Sequence, residues 1–276
     1  MTLREFIRSA EEALSSLYSK EEARSIAQLL VEGKFSMTYT QMALGMDEKI
    51  DTAHLLPALQ RLVNAEPIQY VLGCAQFMGF DFRVGHGVLI PRPETEDLVI
   101  EIEKYLVKSG RVLDACTGSG AIAIALKLRN RDQQVTAFDL SKDALEYAKD
   151  NAARLGAAIF VQQRDALQDF SSMGTFDIIV SNPPYVPASD YLEMHTAVKD
   201  HEPKMAIFVS DSDTLVFYRS IARNARKMLS KDGVLLFEIY EKSGEEVSRM
   251  LYEMQFSRVE VKKDRFDKDR IVVAWM

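Results

Sequence analysis

Apolar side chains in the first 66 residues recur at helical spacing. Leu3, Phe6, Ile7, Ala10 and Leu14 fall on one face of an amphipathic helix. The same spacing recurs further along this stretch, so we predict a small helical domain over residues 1–66.

Capping and stop signals give the expected bounds of the later helices in this domain. A second helix is predicted to begin after Ser19, ahead of two glutamates, and to stop at Gly33. A third is predicted to open at Asp51–Thr52 and to end before Pro67.

The pattern changes to period two after the helical region. Residues 76–84 alternate around a turn that contains Gly79, which is typical of a β-hairpin. The run Ile90-Pro91-Arg92-Pro93 is predicted to be extended, because proline excludes a helix at the residue before it. We interpret residues 67–93 as a linker.

Short apolar strands alternate with amphipathic helices over residues 94–276, after a first helix near 95–107. Strands are predicted at 111–114, 134–139, 159–161, 176–181, 234–239 and 271–275. Helices are predicted near 119–129, 142–155, 214–229 and 244–254. This alternation predicts an α/β domain with a mainly parallel, doubly wound sheet.

Composition and charge exclude several classes of protein. The 276 residues are 47% hydrophobic and 27% charged, which excludes a disordered chain and fits one large or two ordinary domains. A net charge of −7 lacks the basic excess with which a protein holds naked nucleic acid. Two cysteines give neither a disulfide framework nor a Cys-rich metal site, and they suit a reducing compartment.

The first residues are too charged for the apolar core of a signal peptide. The apolar runs are also far shorter than the roughly 20 residues that a membrane span needs. We therefore expect a soluble, cytoplasmic protein without a membrane partner.

A glycine-rich loop follows the first strand of the α/β region. Its residues are Cys116, Thr117, Gly118, Ser119 and Gly120, and a helix begins directly after them. Glycines let the backbone approach a ligand, which faces the N–H groups of the helix start. The loop alone fits a dinucleotide site as well, or a tight turn without a ligand.

Acidic residues end or follow the next two strands. Asp139 lies 19 residues after Gly120, where a carboxylate can accept both ribose hydroxyls of an adenosine-bearing ligand. Asp139 could instead cap the following helix, although Ser141 competes for that position. Asp165 and Ala166 follow the third strand, where a chain commonly contacts an adenine ring, but a solvated loop is nearly as good an interpretation.

The segment Asn182-Pro183-Pro184-Tyr185 ends the fourth strand and is the most informative of the chain. The prolines cannot donate hydrogen bonds and they fix the directions of their carbonyls. The Asn182 oxygen and the Pro183 carbonyl can accept two N–H bonds from a planar amino group, on which the Tyr185 ring packs. A rigid turn explains the two prolines but does not explain Asn182 and Tyr185 beside them. We therefore predict a site for a planar NH₂ group.

Together these segments resemble the class I S-adenosylmethionine-dependent methyltransferases that modify planar amino nitrogens. Within that class the chain resembles the release factor glutamine methyltransferases, also called the HemK or PrmC family. The matching segments lie at residues 66–73, 88–96, 182–185, 201–203, 217–219, 263–265 and 269–270, and the resemblance extends over nearly the whole chain. Cys116 departs from the pattern, since the family usually has glycine there.

The resemblance implies a fold, a reaction and a partner. The fold would begin with a helical domain that docks the substrate, followed by a hairpin linker. A seven-stranded Rossmann-like methyltransferase sheet would come next, with its last strand pair antiparallel. The reaction would be methylation of the glutamine side-chain amide in the Gly-Gly-Gln motif of peptide chain release factors. S-adenosylmethionine would be the methyl donor, and no metal is expected.

The resemblance also implies roles for the candidate residues. Cofactor binding is expected from Cys116, Thr117, Gly118, Ser119, Gly120, Asp139, Asp165, Ala166 and Asn182. Substrate binding is expected from residues 182–185, with Asn182, Pro183 and Tyr185 in catalysis.

Two other functions compete with this interpretation. In an adenine-N6 nucleic-acid methyltransferase, the same segment would bind a flipped base. The net charge of −7 and the lack of a basic recognition domain weigh against this function. A silent module that only binds release factors is disfavoured, because the expected catalytic segments are intact.

Overall fold

The computed structural model describes residues 1–276. The chain forms two compact units: Met1–Cys74 with His195–His201 is a helical unit, and Ala75–Met194 with Glu202–Met276 is an α/β unit. No helix is both long enough and apolar enough to cross a membrane.

Eleven α-helices and eleven strands occur along the chain. The helices are α1 (Leu3–Leu14), α2 (Lys20–Phe35), α3 (Tyr39–Leu44), α4 (Leu55–Val63), α5 (Ile68–Leu72), α6 (Pro93–Glu103), α7 (Ala121–Arg129), α8 (Lys142–Leu155), α9 (Thr196–His201), α10 (Val216–Met228) and α11 (Gly244–Glu253). The strands are β1 (Cys74–Phe77), β2 (Phe80–Arg83), β3 (Arg111–Ala115), β4 (Gln134–Asp139), β5 (Phe160–Gln163), β6 (Phe176–Ser181), β7 (Val186–Pro187), β8 (Phe208–Val209), β9 (Leu229–Glu238), β10 (Arg258–Lys263) and β11 (Asp269–Trp275).

The helical unit corrects two predicted helix bounds. Gly33 does not stop α2, which continues to Phe35 and ends at Ser36 in the left-handed conformation, with φ 52°. A Cβ at Gly33 would lie 2.7 Å from Leu72 Cδ2, so this glycine permits close packing instead. The predicted third helix begins later, at Leu55, because the Asp51 carboxylate accepts the Ala53 N–H in a turn.

Three helices of this unit were not predicted: α3, α5 and α9. The short helix α3 begins after Thr38 with a complete capping box, and α5 lies inside the stretch that we interpreted as a linker. Residues 195–201, far along the chain, also belong to this unit: the ring of His195 stacks on Tyr18, with centroids 5.0 Å apart. His195 Nε2 lies 3.3 Å from the Leu17 carbonyl, and His201 Nε2 lies 3.1 Å from the Asn64 carbonyl.

The α/β unit begins with the predicted hairpin, formed by β1 and β2. Its turn uses left-handed backbone at Met78 and Gly79, with φ 51° and 78°. After an extended segment, α6 begins at Pro93, where the missing N–H of proline removes no helical hydrogen bond.

The central sheet has seven strands in the order β10-β11-β9-β6-β3-β4-β5. Strand β11 runs antiparallel to both β9 and β10, and the other pairs are parallel. The expected seven-stranded, mainly parallel sheet is therefore confirmed. Strand β10 was not predicted because its sequence, Arg-Val-Glu-Val-Lys-Lys, contains only two apolar residues, as suits a charged strand at an edge of the sheet.

Apolar layers cover both faces of this sheet. One layer packs α6, α7 and the hairpin against the strands, and the other packs α10 and α11 on the opposite face. The register pairs Ala115 with Ser181 and Ser181 with Phe237, so the carboxyl ends of β3, β6 and β9 meet at one edge. Polar residues that follow these strands are thereby brought together.

Candidate functional site

A cavity opens at the carboxyl edge of the sheet, where the chain leaves β3, β4 and β6. The lining residues come from the glycine-rich loop, from the two acidic turns and from a loop near residue 205. They are Gly87, Val88, Leu89, Cys116, Gly118, Asp139, Leu140, Ser141, Ala144, Arg164, Asp165, Ala166, Leu167, Asn182, Pro184, Pro203, Met205, Ala206 and Phe217.

The two glycines of the loop differ in what surrounds them. Gly118 has φ 56°, and no atom lies within 4 Å of the place where a Cβ would project. Gly120 has φ 82°, and a Cβ there would lie 2.8 Å from Ile124 Cδ1 and 3.3 Å from Ala148. Gly120 therefore permits the close approach of α7 and α8, whereas Gly118 leaves room for a ligand.

Asp139 ends β4 and faces this cavity. Its carboxylate accepts the N–H groups of Gly118 and Ser141, each at 2.9 Å. Burial raises the pKa of Asp139, while these backbone N–H groups act against that rise. The Ser141 hydroxyl accepts the Ala144 N–H and caps α8, so Asp139 is not the helix cap.

Apolar side chains form the rim of the cavity. Leu140, Leu167 and Met205 are among the exposed large hydrophobic residues of the chain, at 48%, 41% and 55% exposure. Such residues can pack on both faces of a flat ring while one edge of that ring meets a polar group such as Asp165. Leu140 could have been found from the sequence, as the residue directly after the strand-ending Asp139.

Six of the nine predicted cofactor-binding residues line this cavity: Cys116, Gly118, Asp139, Asp165, Ala166 and Asn182. The other three, Thr117, Ser119 and Gly120, are not part of its lining. The Thr117 hydroxyl donates to the Asp114 carboxylate at 2.6 Å, and Ser119 is buried. These two side chains support the loop from within the protein.

A second cavity lies beside the first. It is lined by Leu89, Arg92, Asn182, Pro183, Tyr185, Val186, Met194, Ala206 and Ile207. Asn182, Leu89 and Ala206 line both cavities. Pro183 and Tyr185 line only the second cavity and Pro184 only the first, because successive residues of this rigid turn point in different directions.

Hydrogen bonds hold both ends of the Asn182–Tyr185 turn. Asn182 Nδ2 donates to Thr95 Oγ1 at 3.3 Å, which leaves the Asn182 carbonyl oxygen available as an acceptor. The Tyr185 hydroxyl donates to Glu238 Oε1 at 3.1 Å. Burial, followed by the nearby Glu238 charge, raises the pKa of Tyr185, so its hydroxyl remains a donor at neutral pH.

Glu202 was not predicted as a site residue, yet it fixes a wall of both cavities. Its carboxylate accepts the Ile90 N–H at 3.1 Å and an Arg92 guanidinium N–H at 2.6 Å. These bonds hold the extended segment that places Leu89 between the cavities. The sequence signal was present, because residues 201–203 belong to the segments that carry the resemblance.

Comparison with known proteins identifies the family of this chain. Residues 5–73 match the PrmC N-terminal domain, and residues 94–200 match the Methyltransferase small domain. A release factor glutamine methyltransferase of Bacteroides thetaiotaomicron is 40% identical over 95% of this chain and 96% of its own length. One of Streptococcus pneumoniae is 36% identical over 99% of this chain and 98% of its own length.

The chain belongs to the release factor glutamine methyltransferase family. Solved structures agree with this family at the level of the fold. A methyltransferase from Pyrococcus furiosus aligns with a TM-score of 0.53 at 17% identity, over 78% of this chain and 96% of that protein. A 16S rRNA methyltransferase of T. thermophilus, solved in complex with AdoMet and guanosine, aligns with a TM-score of 0.52 at 17% identity, over 73% of this chain and 49% of that protein.

Cys116 stands where the resemblance described above led us to expect a glycine. Its backbone is left-handed, with φ 61°. Glycine adopts this conformation without the steric cost that a Cβ adds. The structure thus gives a physical reason for glycine at this position, and Cys116 is held there under backbone strain.

A buried acid beneath the loop leads to a prediction about stability. Burial, together with the Asp139 charge, raises the pKa of Asp114 to about 7, although Thr117 and the Ala123 N–H donate to it. The folded protein then holds a proton that the unfolded chain has released, so the free energy of unfolding should fall as pH rises from about 4 to about 7. The fall is expected to be on the order of a few kcal/mol.

The variant Asp114→Asn isolates this effect, because asparagine cannot titrate. Denaturant unfolding at pH 5 and pH 8 should show a smaller loss of stability in the variant than in the wild-type protein. Equal losses in the two proteins would contradict the assignment to Asp114.

Proposed function

We propose that the protein transfers a methyl group from S-adenosylmethionine to the side-chain amide nitrogen of the glutamine in the Gly-Gly-Gln motif of peptide chain release factors. One observation carries the proposal: Asn182 lines both cavities, so a group bound to it in the second cavity faces the contents of the first. A methyl donor and a methyl acceptor need this arrangement.

The first cavity fits the methyl donor. Gly118 leaves open space against the backbone, Asp139 offers a carboxylate to a ribose diol, and the rim of Leu140, Leu167 and Met205 suits an adenine ring. The donor supplies a methyl group that is activated by a positively charged sulfur. The Asp139 and Asp165 carboxylates, set against the single guanidinium of Arg164, favour a cationic ligand in this cavity.

The second cavity fits a primary amide. The Asn182 oxygen is free to accept one N–H bond because the Asn182 nitrogen already donates to Thr95. The Pro183 carbonyl is fixed by its ring and can accept the other N–H bond. The Tyr185 ring lines the same cavity and can pack on the amide plane.

These contacts would orient the amide nitrogen for methyl transfer. Its lone pair is delocalised, so it is a poor nucleophile and must be oriented toward the methyl group. Two fixed acceptors orient it and stabilise the positive charge that develops on nitrogen during transfer. The amide proton can leave to solvent after transfer, so this scheme requires no side-chain base.

We infer that the release factor docks on the helical unit. The residues that contact the methyl donor and the amide in this proposal all belong to the α/β unit. One side chain supplies little specificity, whereas two protein surfaces that bury roughly 1,200–2,000 Å² can supply much more. In the cell, this assignment places the protein in translation termination.

Transfer of labelled methyl groups tests the proposed reaction. The protein is incubated with labelled S-adenosylmethionine and, separately, with a release factor, with the same factor carrying alanine at the motif glutamine, and with duplex DNA. Label is expected in the first acceptor alone. Label in DNA but in neither protein would instead identify a nucleic-acid methyltransferase.

Asp139→Ala tests the proposed cofactor site. The loss of charge-assisted hydrogen bonds to the ribose should weaken S-adenosylmethionine binding at least about tenfold in calorimetry. Because Asp139 also holds the Gly118 and Ser141 N–H groups, thermal unfolding of the variant is measured in parallel. Unchanged affinity in a destabilised protein would show that Asp139 only supports the loop.

A further inference from the structure

A second tyrosine lies against the ring of Tyr185. The rings of Tyr185 and Tyr240 are stacked, with centroids 6.3 Å apart and planes inclined by 22°. This is within the range of offset arrangements that aromatic pairs prefer. Tyr240 belongs to the lining of neither cavity, so it can act on a bound substrate only through Tyr185.

Hydrogen bonds hold both the backbone and the hydroxyl of Tyr240. The residue lies just beyond the end of β9, and its carbonyl accepts the Ser243 N–H at 2.9 Å and the Ser243 hydroxyl at 2.8 Å. The Tyr240 hydroxyl donates to Asp190 Oδ2 at 2.8 Å. Lys242 Nζ lies 5.6 Å from the centroid of the ring and adds a cation–π contact. The Tyr240 ring is therefore fixed at both ends.

The Tyr185 ring, by contrast, is fixed at its hydroxyl but not in its plane by that bond. The hydroxyl donates to Oε1 of Glu238, which is 1% exposed behind the turn. Rotation of a tyrosine ring about the axis from Cβ to the hydroxyl oxygen leaves the oxygen in place, and this torsion is a soft one. The bond to Glu238 thus permits several ring planes. A nearly parallel neighbouring ring selects one of them, because a rotated Tyr185 would lose the stacked contact.

We propose that Tyr240 fixes the plane of the Tyr185 ring and thereby the tilt of the substrate amide in the second cavity. The Asn182 oxygen and the Pro183 carbonyl orient the amide within its plane, and the Tyr185 ring sets the tilt of that plane. This inference rests on the proposed function, in which the Tyr185 ring packs on the amide. Tyr240 is a positioning residue, because it lines neither cavity.

Asp190 supports the ring of Tyr240 from its far end. It lies in the 3-10 helix Ala188–Glu193, directly before Met194, which lines the second cavity. The bond from Tyr240 to Asp190 therefore also joins the end of β9 to this segment. The contact with Tyr185 itself is made by the ring, so we expect the loss of the ring to have a larger effect than the loss of the hydroxyl.

Two substitutions of Tyr240 separate the ring from the hydroxyl. A short peptide with the Gly-Gly-Gln motif is the acceptor, so that docking of intact release factor does not enter the measurement. In Tyr240→Leu, kcat should fall about tenfold, the rate equivalent of one strong aromatic pair. Calorimetric affinity for S-adenosylmethionine should not change, because Tyr240 does not line the first cavity. Tyr240→Phe keeps the ring and should retain most of the activity.

Tyr105→Leu is the matched control. The Tyr105 ring also packs on an aromatic side chain, Trp275, with centroids 5.7 Å apart, and its hydroxyl also donates to a carboxylate, Glu101, at 2.8 Å. Tyr105 lines neither cavity, so its loss should lower thermal stability and leave kcat near the wild-type value. Full activity of Tyr240→Leu would overturn the proposal. Equal losses of kcat in Tyr240→Leu and Tyr105→Leu would also overturn it, because they would indicate general loosening.

A double-mutant comparison tests whether Tyr240 acts through Tyr185. Combining Tyr240→Leu with Tyr185→Ala should cost no more activity than Tyr185→Ala alone, since the ring to be positioned is gone. Independent, multiplying losses would contradict the proposal, because Tyr240 would then act on the reaction by another route.

An NMR measurement tests the ring positions without any activity. In protein labelled at tyrosine and assigned with Tyr185→Phe and Tyr240→Phe, the two rings should show cross-peaks to each other. The Tyr185 ring signals should shift in Tyr240→Leu but not in Tyr105→Leu. A wild-type protein that shows the cross-peaks but labels neither release factor nor peptide would overturn the proposed function and leave the fixed ring plane intact. Absence of the cross-peaks in the wild-type protein would overturn the stacking itself.

Discussion

Replacing Asn182 with alanine is expected to lower the rate of release factor methylation by roughly 10²-fold or more, the scale on which loss of alignment acts. The side chain lines both cavities, and its oxygen is the acceptor that would hold the substrate amide. The affinity for S-adenosylmethionine should change much less, because Gly118 and Asp139 remain in place. Single-turnover rates with labelled donor, together with calorimetric binding, measure the two quantities separately.

Asn130→Ala is a suitable control for this variant. Asn130 follows α7, and its side chain donates to Glu103 outside both cavities, so its removal should leave turnover unchanged. Turnover of Asn182→Ala near the wild-type value would refute the role of Asn182. An equally large loss of affinity for S-adenosylmethionine would place the main role of Asn182 in the first cavity instead.

Removing the helical region is expected to have the second large effect. A chain that begins at Gln76 should still bind S-adenosylmethionine, because the first cavity lies wholly within the α/β unit. Its methylation of intact release factor should fall by about 10²-fold or more if that unit supplies most of the docking surface. A short peptide with the Gly-Gly-Gln motif should be methylated equally by the short and full-length proteins.

The segment His195–His201 requires its own control, since it would lose its partners in the shortened chain. His195→Ala in the full-length protein removes the ring stacked on Tyr18 and leaves the helical unit present. We expect it to retain most activity on intact release factor. A loss as large as that of the shortened chain would mean that the helical unit acts by holding this segment and not by docking the partner.

Local patterns predicted most of the α/β unit. Strands β4 and β6 and helix α8 have the predicted bounds, because their apolar periods are strong and their ends carry clear capping or turn residues. The prediction failed at Gly33, where glycine serves packing against Leu72 and does not end the helix. A packing glycine and a helix-ending glycine are identical in sequence, since only the neighbouring segment distinguishes them.

The candidate site was predicted in part for a similar reason. Gly118, Asp139 and Asn182 end or follow strands whose carboxyl ends meet, so topology alone brings them to one edge. Thr95, Glu202 and Glu238 were not predicted as site residues, because each is bonded to a partner distant in the chain. Thr95 and Asn182 are joined by a hydrogen bond across 87 positions, and Tyr185 and Glu238 by one across 53.

The sequence by itself therefore determined the alternation of strands and helices, the family, and the chemical groups at the ends of the strands. These properties depend on local periodicity and on residue identity, and both can be read directly from the sequence. Only the tertiary structure decided that Asn182 lies between two cavities, that Gly118 faces open space while Gly120 faces α8, and that Glu238 is buried behind the turn. These properties depend on distances between segments far apart in sequence, and the packing of the whole unit fixes those distances.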